Sequence, residues 1–350
     1  MAERKVKFGM VGASPMGMYH IEALARHPQI DLVAICDKDK ERVEEAGKKV
    51  GVTTLYTDWK ELVKNPEVEA VVLCVPDGLH LEMTAGALRA GKDVLCEKPM
   101  ALTVEECEEM RKVEKETGKR LMIGQICRYT PAFRKAKKLI EAGEIGELYF
   151  VESEYAHDYL ESPGADNWRI DPRREGYIGG GCHAVDLLRW IAGNPTEIVA
   201  YSNHKCLTEW PVNDATISML KFPNDVIGKV FVSIGCKRDY TMRSCFYGTK
   251  GTIICDNTST HLTLYKETLN GKDSLFGEDA QDAKVTPIKL PVDIASHNTY
   301  GELESFAQCI INDEPVPTTS YEGECTVAVC VSAMESARTG KIVEIKYPEK

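Results

Sequence analysis

Three side chains in this 350-residue chain stand where acid–base chemistry needs them. Lys98 ends the stretch Glu97-Lys98-Pro99, which follows a short apolar run at residues 93–96 that reads as a buried strand. In an open parallel sheet the ligand crevice lies at the carboxyl ends of the strands. A lysine there, held by a proline of fixed φ, reaches a bound ligand; a pair of surface charges on a loop is the competing reading. His183 and Asp186 follow Gly179-Gly180-Gly181 at the start of a helical pattern, three residues apart and so on one face. The glycines let the backbone pass close to a ligand, and the positive end of the helix lowers the histidine pKa. A neutral imidazole accepts a proton from an alcohol as hydride leaves, with Asp186 orienting it or holding a substrate hydroxyl. Local capping by His183 and Asp186 is the competing reading.

The hydride needs an acceptor, and the N-terminal residues suggest one. An apolar strand at residues 6–11 runs into Gly12-Ala13-Ser14-Pro15-Met16-Gly17, and helical spacing resumes at Met18. Gly12 and Gly17 fit the first and third glycines of a dinucleotide-binding turn, where the backbone approaches a pyrophosphate at a helix N-terminus. Ser14 replaces the second glycine, with a hydroxyl that can donate to phosphate. Asp37 ends the next strand, about 20 residues past Gly17, where an acid takes the adenosine ribose hydroxyl. An acid there repels a 2′-phosphate, so NAD is expected over NADP; a turn residue or helix cap is the alternative role for Asp37.

The elements that must position these groups alternate. Strands at residues 6–11, 31–36, 53–56, 71–75, 93–96 and 120–125 are separated by helical patterns at 18–26, 40–49, 59–64, 81–90 and 104–117. This is a doubly wound parallel sheet, and residues 1–125 are read as a dinucleotide-binding domain. A linker beginning at Arg128 leads into residues 126–350, read as a substrate-binding and oligomerisation domain. There consecutive strand-like runs from 148–155 to 261–265 have few helices between them. They give a largely antiparallel open sheet, with helices at 132–141, 299–311 and 322–339.

Composition narrows the function. With 43 basic and 54 acidic side chains the formal charge is −11, which argues against nucleic acid or an anionic membrane as partner. No apolar run approaches a membrane span, and no export signal is visible. The 13 cysteines are scattered, with no C-x-x-C, as in a reduced cytoplasmic protein. No metal-ligand spacing appears, so no catalytic metal is expected.

Together the Gly12–Gly17 turn, Asp37, Pro76-x-x-x-His80, Gly91-Lys92, Glu97-Lys98-Pro99 and Gly143-x-Ile145-Gly146 resemble the Gfo/Idh/MocA oxidoreductases over essentially the whole chain. The resemblance implies a Rossmann domain followed by an open sheet with helices on one face, whose other face joins subunits of a homo-oligomer. It implies that Lys98 binds the substrate hydroxyl and the nicotinamide ribose and helps relay the proton, and that Pro76 and His80 line the cofactor cleft beside Glu97. Trp168-Arg169 would reach the nicotinamide side, where an indole stacks on a sugar face and a guanidinium pairs with phosphate or hydroxyls. Arg128 is placed with them toward the cofactor. Tyr129, His157, Tyr159 and Tyr177 are candidates for the substrate. The family often has Asn where this chain has Asp77, and commonly an Asp four residues before the histidine, where this chain has Gly179; Tyr177, His157 and Asp158 are candidates to fill that role. The expected activity is NAD-dependent oxidation of a secondary hydroxyl of a sugar, glycoside or inositol. A redox-neutral enzyme that oxidises a glycoside transiently and eliminates the aglycone is the alternative, and a non-catalytic NAD- or sugar-binding regulator is the third reading.

Overall fold

A computed structural model describes residues 4–161, 168–267, 285–295 and 297–349. The first unit alternates strand and helix: β1 (Val6–Val11), α1 (Pro15–Arg26), β2 (Ile30–Cys36), α2 (Lys40–Val50), β3 (Leu55–Tyr56), α3 (Trp59–Lys64), β4 (Ala70–Leu73), α4 (His80–Arg89), β5 (Asp93–Glu97), α5 (Val104–Thr117) and β6 (Leu121–Gly124). All six strands are parallel, in the order β3-β2-β1-β4-β5-β6. Every residue of β4 and β6 is buried, as a sheet covered on both faces requires. The order reverses between β1 and β4, which opens a crevice at their carboxyl ends. Helix starts follow local chemistry: Ser14, Asp39 and Thr103 cap α1, α2 and α5 by accepting backbone N–H bonds.

The chain then makes a buried 3₁₀ turn at Ile126–Tyr129, continues through α6 (Pro131–Glu141) and enters a second sheet. Its strands are β7 (Leu148–Ala156), β8 (Glu197–Asn203), β9 (Ala215–Lys221), β10 (Ile227–Ser233), β11 (Arg243–Gly248), β12 (Gly251–Asp256), β13 (His261–Glu267), β14 (Val285–Pro291) and β15 (Val343–Glu344). Their order is β14-β13-β12-β11-β7-β10-β9-β8-β15, antiparallel except for the β7–β10 pair. A one-turn helix α7 (Gly176–Gly179) and then α8 (Cys182–Ala192) lie between β7 and β8; α9 (Thr299–Asn312) and α10 (Ser320–Thr339) precede β15. Helices α6, α8 and α10 pack on one face. On β9 every second residue is buried, and Tyr201, Met219 and Ile227 are exposed on the sheet.

The linker that begins at Arg128 is packed into the protein: Arg128 and Tyr129 are both buried. Helix α9, far along the chain, returns to the first unit and lays Leu303, Phe306 and Ile310 into one core with Phe8, Met10 and Leu24. Phe306 meets Phe8 edge-on, with ring centroids 5.9 Å apart, a geometry that adds about 0.5–1.5 kcal/mol beyond burial. A helical pattern read alone does not say which sheet it will cover. Phe306→Ala is therefore expected to lower the stability of the first unit by about 3–5 kcal/mol, read as a shift of the denaturant midpoint.

Candidate active site

A cleft of about 820 Å³ runs along the carboxyl ends of β1, β2, β4 and β5 and ends against the second sheet. Its far end is the glycine turn. Gly12 has φ +100°, and a Cβ there would stand 2.0 Å from the Cys74 carbonyl oxygen; a Cβ on Gly17 would stand 2.1 Å from the Gly12 carbonyl oxygen. Both positions therefore demand glycine. Ser14 Oγ accepts from the Gly17 N–H at 3.4 Å, which leaves its hydroxyl hydrogen to donate, and Pro15 and Met16 line the cleft at the helix N-terminus. The Asp37 carboxylate accepts from Ala13 N–H at 2.7 Å and Asp39 N–H at 2.9 Å and faces the same cleft. Helix N-terminus, close backbone and buried acid together fit a dinucleotide.

Lys98 lines the other end with Pro76, Glu97, Tyr155, Tyr159, Trp168, Arg169, Arg174 and His297. Burial works against its charge, but Cys182, Glu97, Tyr159 and Asp77 outweigh it and hold the ammonium pKa above its ordinary value. Its loop is braced twice. The His20 imidazole on α1 donates to Glu97 Oε1 at 2.8 Å, and Glu97 Oε2 accepts from Lys98 N–H at 3.1 Å. His80 is wholly buried, so it does not line the cleft as expected. Its ring nitrogens lie 2.8 Å from the Pro99 carbonyl oxygen and 3.1 Å from that of Val75. Carbonyls only accept, so a ring bonded on both sides carries two protons. Burial opposes that charge, but Cys96, Asp77 and the Pro99 carbonyl prevail and raise the His80 pKa to about 10.

His183 lies in the layer behind the wall. Its ring stacks on Tyr155 at 5.8 Å between centroids, stands 5.6 Å from His297, and places Nδ1 3.3 Å from Cys127 Sγ. Burial first, then the Lys98 charge, pushes its pKa well below the ordinary value, so it is neutral. His157 and His297 are each lowered to about 4, the first by burial and Arg169, the second by burial and Lys98. Tyr159 Oη stands 3.4 Å from Tyr155 Oη, which stands 3.1 Å from His157 Nδ1.

Five proposed site residues lie elsewhere. Asp186 does not orient His183: its carboxylate takes both Nε and Nη2 of Arg128, at 2.9 and 2.7 Å, and Thr326 Oγ1 at 3.2 Å. Arg128 in turn donates to Glu322 at 2.9 Å, so it faces α8 and α10 rather than a cofactor. Tyr177 reaches Ser218 on β9 at 2.5 Å, inside the second core. Tyr129 is buried with the first core, and its carbonyl accepts from Asn298 at the start of α9. Asp158, a candidate for the missing acid, pairs with Lys237 at 2.6 Å.

The place of that missing acid is instead filled by a base that sequence reasoning missed. Arg174 is buried and donates through Nε to Asp77 at 2.5 Å and through Nη2 to the Gly179 carbonyl oxygen at 3.3 Å. A Cβ on Gly179 would fall 2.2 Å from its guanidinium carbon. Asp77 and Gly179, the two departures in the motifs, are thus one arrangement joined by Arg174; their joint change of charge was the only signal. Among the described residues no group of three or more His, Cys, Asp or Glu is placed to hold a metal, and no helix is long and apolar enough to cross a membrane.

Two outcomes follow. Asp186→Asn, or Arg128→Met, breaks a buried ion pair and is expected to cost about 3–5 kcal/mol in stability while leaving the KM of the folded fraction unchanged; chemical denaturation and steady-state rates check this. Stability also depends on pH in two opposite ways. His183, His157 and His297 exclude protons that the unfolded chain takes up, so stability falls as pH drops from about 6.5 through about 4. His80 holds a proton the unfolded chain releases, so its contribution is full below about 6.5 and is lost as pH rises through about 10. In a series of melting temperatures against pH, His80→Gln should flatten the alkaline limb alone.

Comparison with known proteins agrees with this geometry. Residues 6–125 match the model of the GFO_IDH_MocA oxidoreductase family, NAD-binding Rossmann fold, and residues 133–254 match the GFO/IDH/MocA C-terminal domain. The chain is 26% identical to scyllo-inositol 2-dehydrogenase (NAD(+)) of Bacillus subtilis, over 98% of this chain and 97% of that protein. It is 28% identical to 1,5-anhydro-D-fructose reductase of Ensifer adhaerens, over 97% of this chain and 98% of that one. A levoglucosan dehydrogenase in complex with NADH and L-sorbose superposes with a TM-score of 0.86 over 99% of this chain and 100% of that one, at 22% identity, and so shares the fold.

Proposed function

The chain belongs to the Gfo/Idh/MocA oxidoreductase family, and on that premise we propose that it transfers hydride between NAD and a secondary hydroxyl of a cyclic polyol: a sugar, a glycoside or an inositol. The observation that carries this reading is a charged lysine at the end of a dinucleotide cleft, with a buried neutral histidine in the layer behind its wall. Relatives named for inositols and for a cyclic sugar ketone support the substrate class.

NAD, held at the Gly12–Gly17 turn and Asp37, supplies the hydride acceptor. The residues do the rest. The Lys98 ammonium donates to the reacting hydroxyl and favours its alkoxide, the charge that develops as hydride departs. His183, neutral in the layer behind Lys98, is the proposed final acceptor of the proton, with the cleft-lining Tyr155 and His297 between it and the substrate. Tyr159, Tyr155 and His157 continue from Lys98 as a line of phenols and imidazole toward the edge of the site. Trp168 offers an indole face to the sugar. The exposed face of the second sheet, with Tyr201, Met219 and Ile227, is assigned to a second copy of the chain.

The test is a panel of sugars, glycosides and inositols incubated with NAD, with NADH absorbance and ketone and aglycone analysis of each mixture. Stoichiometric NADH and ketone establish the dehydrogenase. Aglycone release without net NADH replaces it by transient oxidation and elimination. In the first case Lys98→Met is expected to lower kcat by about 10²–10⁴-fold; a variant that turns over normally removes Lys98 from the mechanism.

A further inference from the structure

The catalytic end of the cleft carries more positive charge than its own residues neutralise. Lys98, Arg169 and Arg174 line it, against the carboxylates of Asp77 and Glu97. Glu97 is already engaged by His20 and the Lys98 N–H, and Asp77 by Arg174 Nε. Arg174 is 3% exposed, and beyond its approach to the Tyr159 phenol its Nη1 has no hydrogen-bond partner among the described residues; Nε and Nη1 of Arg169 have none. A buried guanidinium with an unmet N–H costs free energy unless something supplies an acceptor. The oxidised nicotinamide ring would add one more positive charge.

The two arginines are held rigidly around two aromatic rings. The Arg174 guanidinium lies 4.4 Å from the Trp168 ring centroid and 5.8 Å from that of Tyr159; Arg169 lies 4.7 Å from Tyr159 and 5.0 Å from Trp168. Burial alone would push the Tyr159 phenol up, but Arg174, Arg169 and Lys98 together bring its pKa below the ordinary value, which reports the same excess of positive charge. Gly179 makes this possible, because any side chain there would occupy the guanidinium's space. Arg169 is the residue expected on the cofactor side, which leaves the free edge of Arg174 for the substrate.

Building on the dehydrogenase reading, we propose that Arg174 is a specificity residue that binds a carboxylate on the substrate, so that the preferred polyol is a sugar acid or the uronate form of a glycoside. With Nε and Nη2 already engaged, Nη1 remains to give a carboxylate oxygen a charge-assisted hydrogen bond, which a neutral hydroxymethyl group cannot match. An anionic substrate also neutralises a cleft that a neutral one would leave charged.

The experiment compares matched pairs that differ only in a carboxylate for a hydroxymethyl group, such as methyl glucuronide with methyl glucoside and the corresponding galactose pair. It uses the whole chain with NAD and measures kcat and KM separately. Binding is read independently from the fluorescence of bound NADH. The wild-type protein is expected to favour the acids at least tenfold in kcat/KM. Arg174→Gln should abolish that preference through KM, with NADH affinity unchanged. Turnover of the neutral members as well as or better than the acids overturns the carboxylate site and leaves the dehydrogenase standing. A variant that weakens NADH and both members of each pair alike assigns Arg174 to the cofactor phosphate and also overturns it. If no compound yields NADH but the acids alone bind, and only with Arg174 present, the anion site stands and the dehydrogenase reading falls. The wild-type preference needs no variant, so the proposal stays testable if Arg174→Gln does not fold.

Discussion

A charged lysine inside a cleft is the constraint around which this molecule is built. An ammonium moved out of water loses several kcal/mol of solvation unless its surroundings replace it, and a flexible loop cannot do that. Here the loop is clamped from both sides. The cationic His80 ties the backbone after β4 to the backbone after Lys98, and His20 on α1 ties that helix to Glu97. The lysine is therefore registered against the Gly12–Gly17 turn by a chain of buried hydrogen bonds, and the two ends of the cleft share one rigid frame.

The negative charge next to that lysine is arranged in an unusual way. Asp77 sits on the first unit and Arg174 on the second, so their buried pair spans the mouth between sheets as well as balancing charge. Replacing an acid by glycine at 179 looks like a loss in a linear motif. In three dimensions the Arg174 guanidinium fills the space above Gly179 and pairs with the Asp77 carboxylate.

The chain reveals those parts of this site that depend on local rules. The glycine turn, Asp37 at a strand end, the alternating elements of the first sheet and Glu97-Lys98-Pro99 all follow from short-range patterns, because backbone conformation and strand periodicity are local. Asp186 was misread for the opposite reason. Its spacing from His183 is correct for a shared helical face, but a carboxylate goes to the strongest available partner, and Arg128 and Thr326 arrive from distant parts of the chain. Arg174 was invisible because its meaning lies in the space above Gly179. His80 was noticed as a motif residue but placed on the wrong side of the wall, since a pattern does not say whether a ring faces the ligand or braces the backbone beneath it.

The return of α9 to the first sheet makes the two units inseparable as folding entities. A fragment ending after β6 would expose the apolar face bearing Phe8, Met10 and Leu24, which α9 covers in the intact chain. Such a nucleotide-binding half would associate through that face, and it could not be grafted or exchanged as a module. The first sheet of this protein becomes fully covered only when the ribosome has made nearly all of the second sheet.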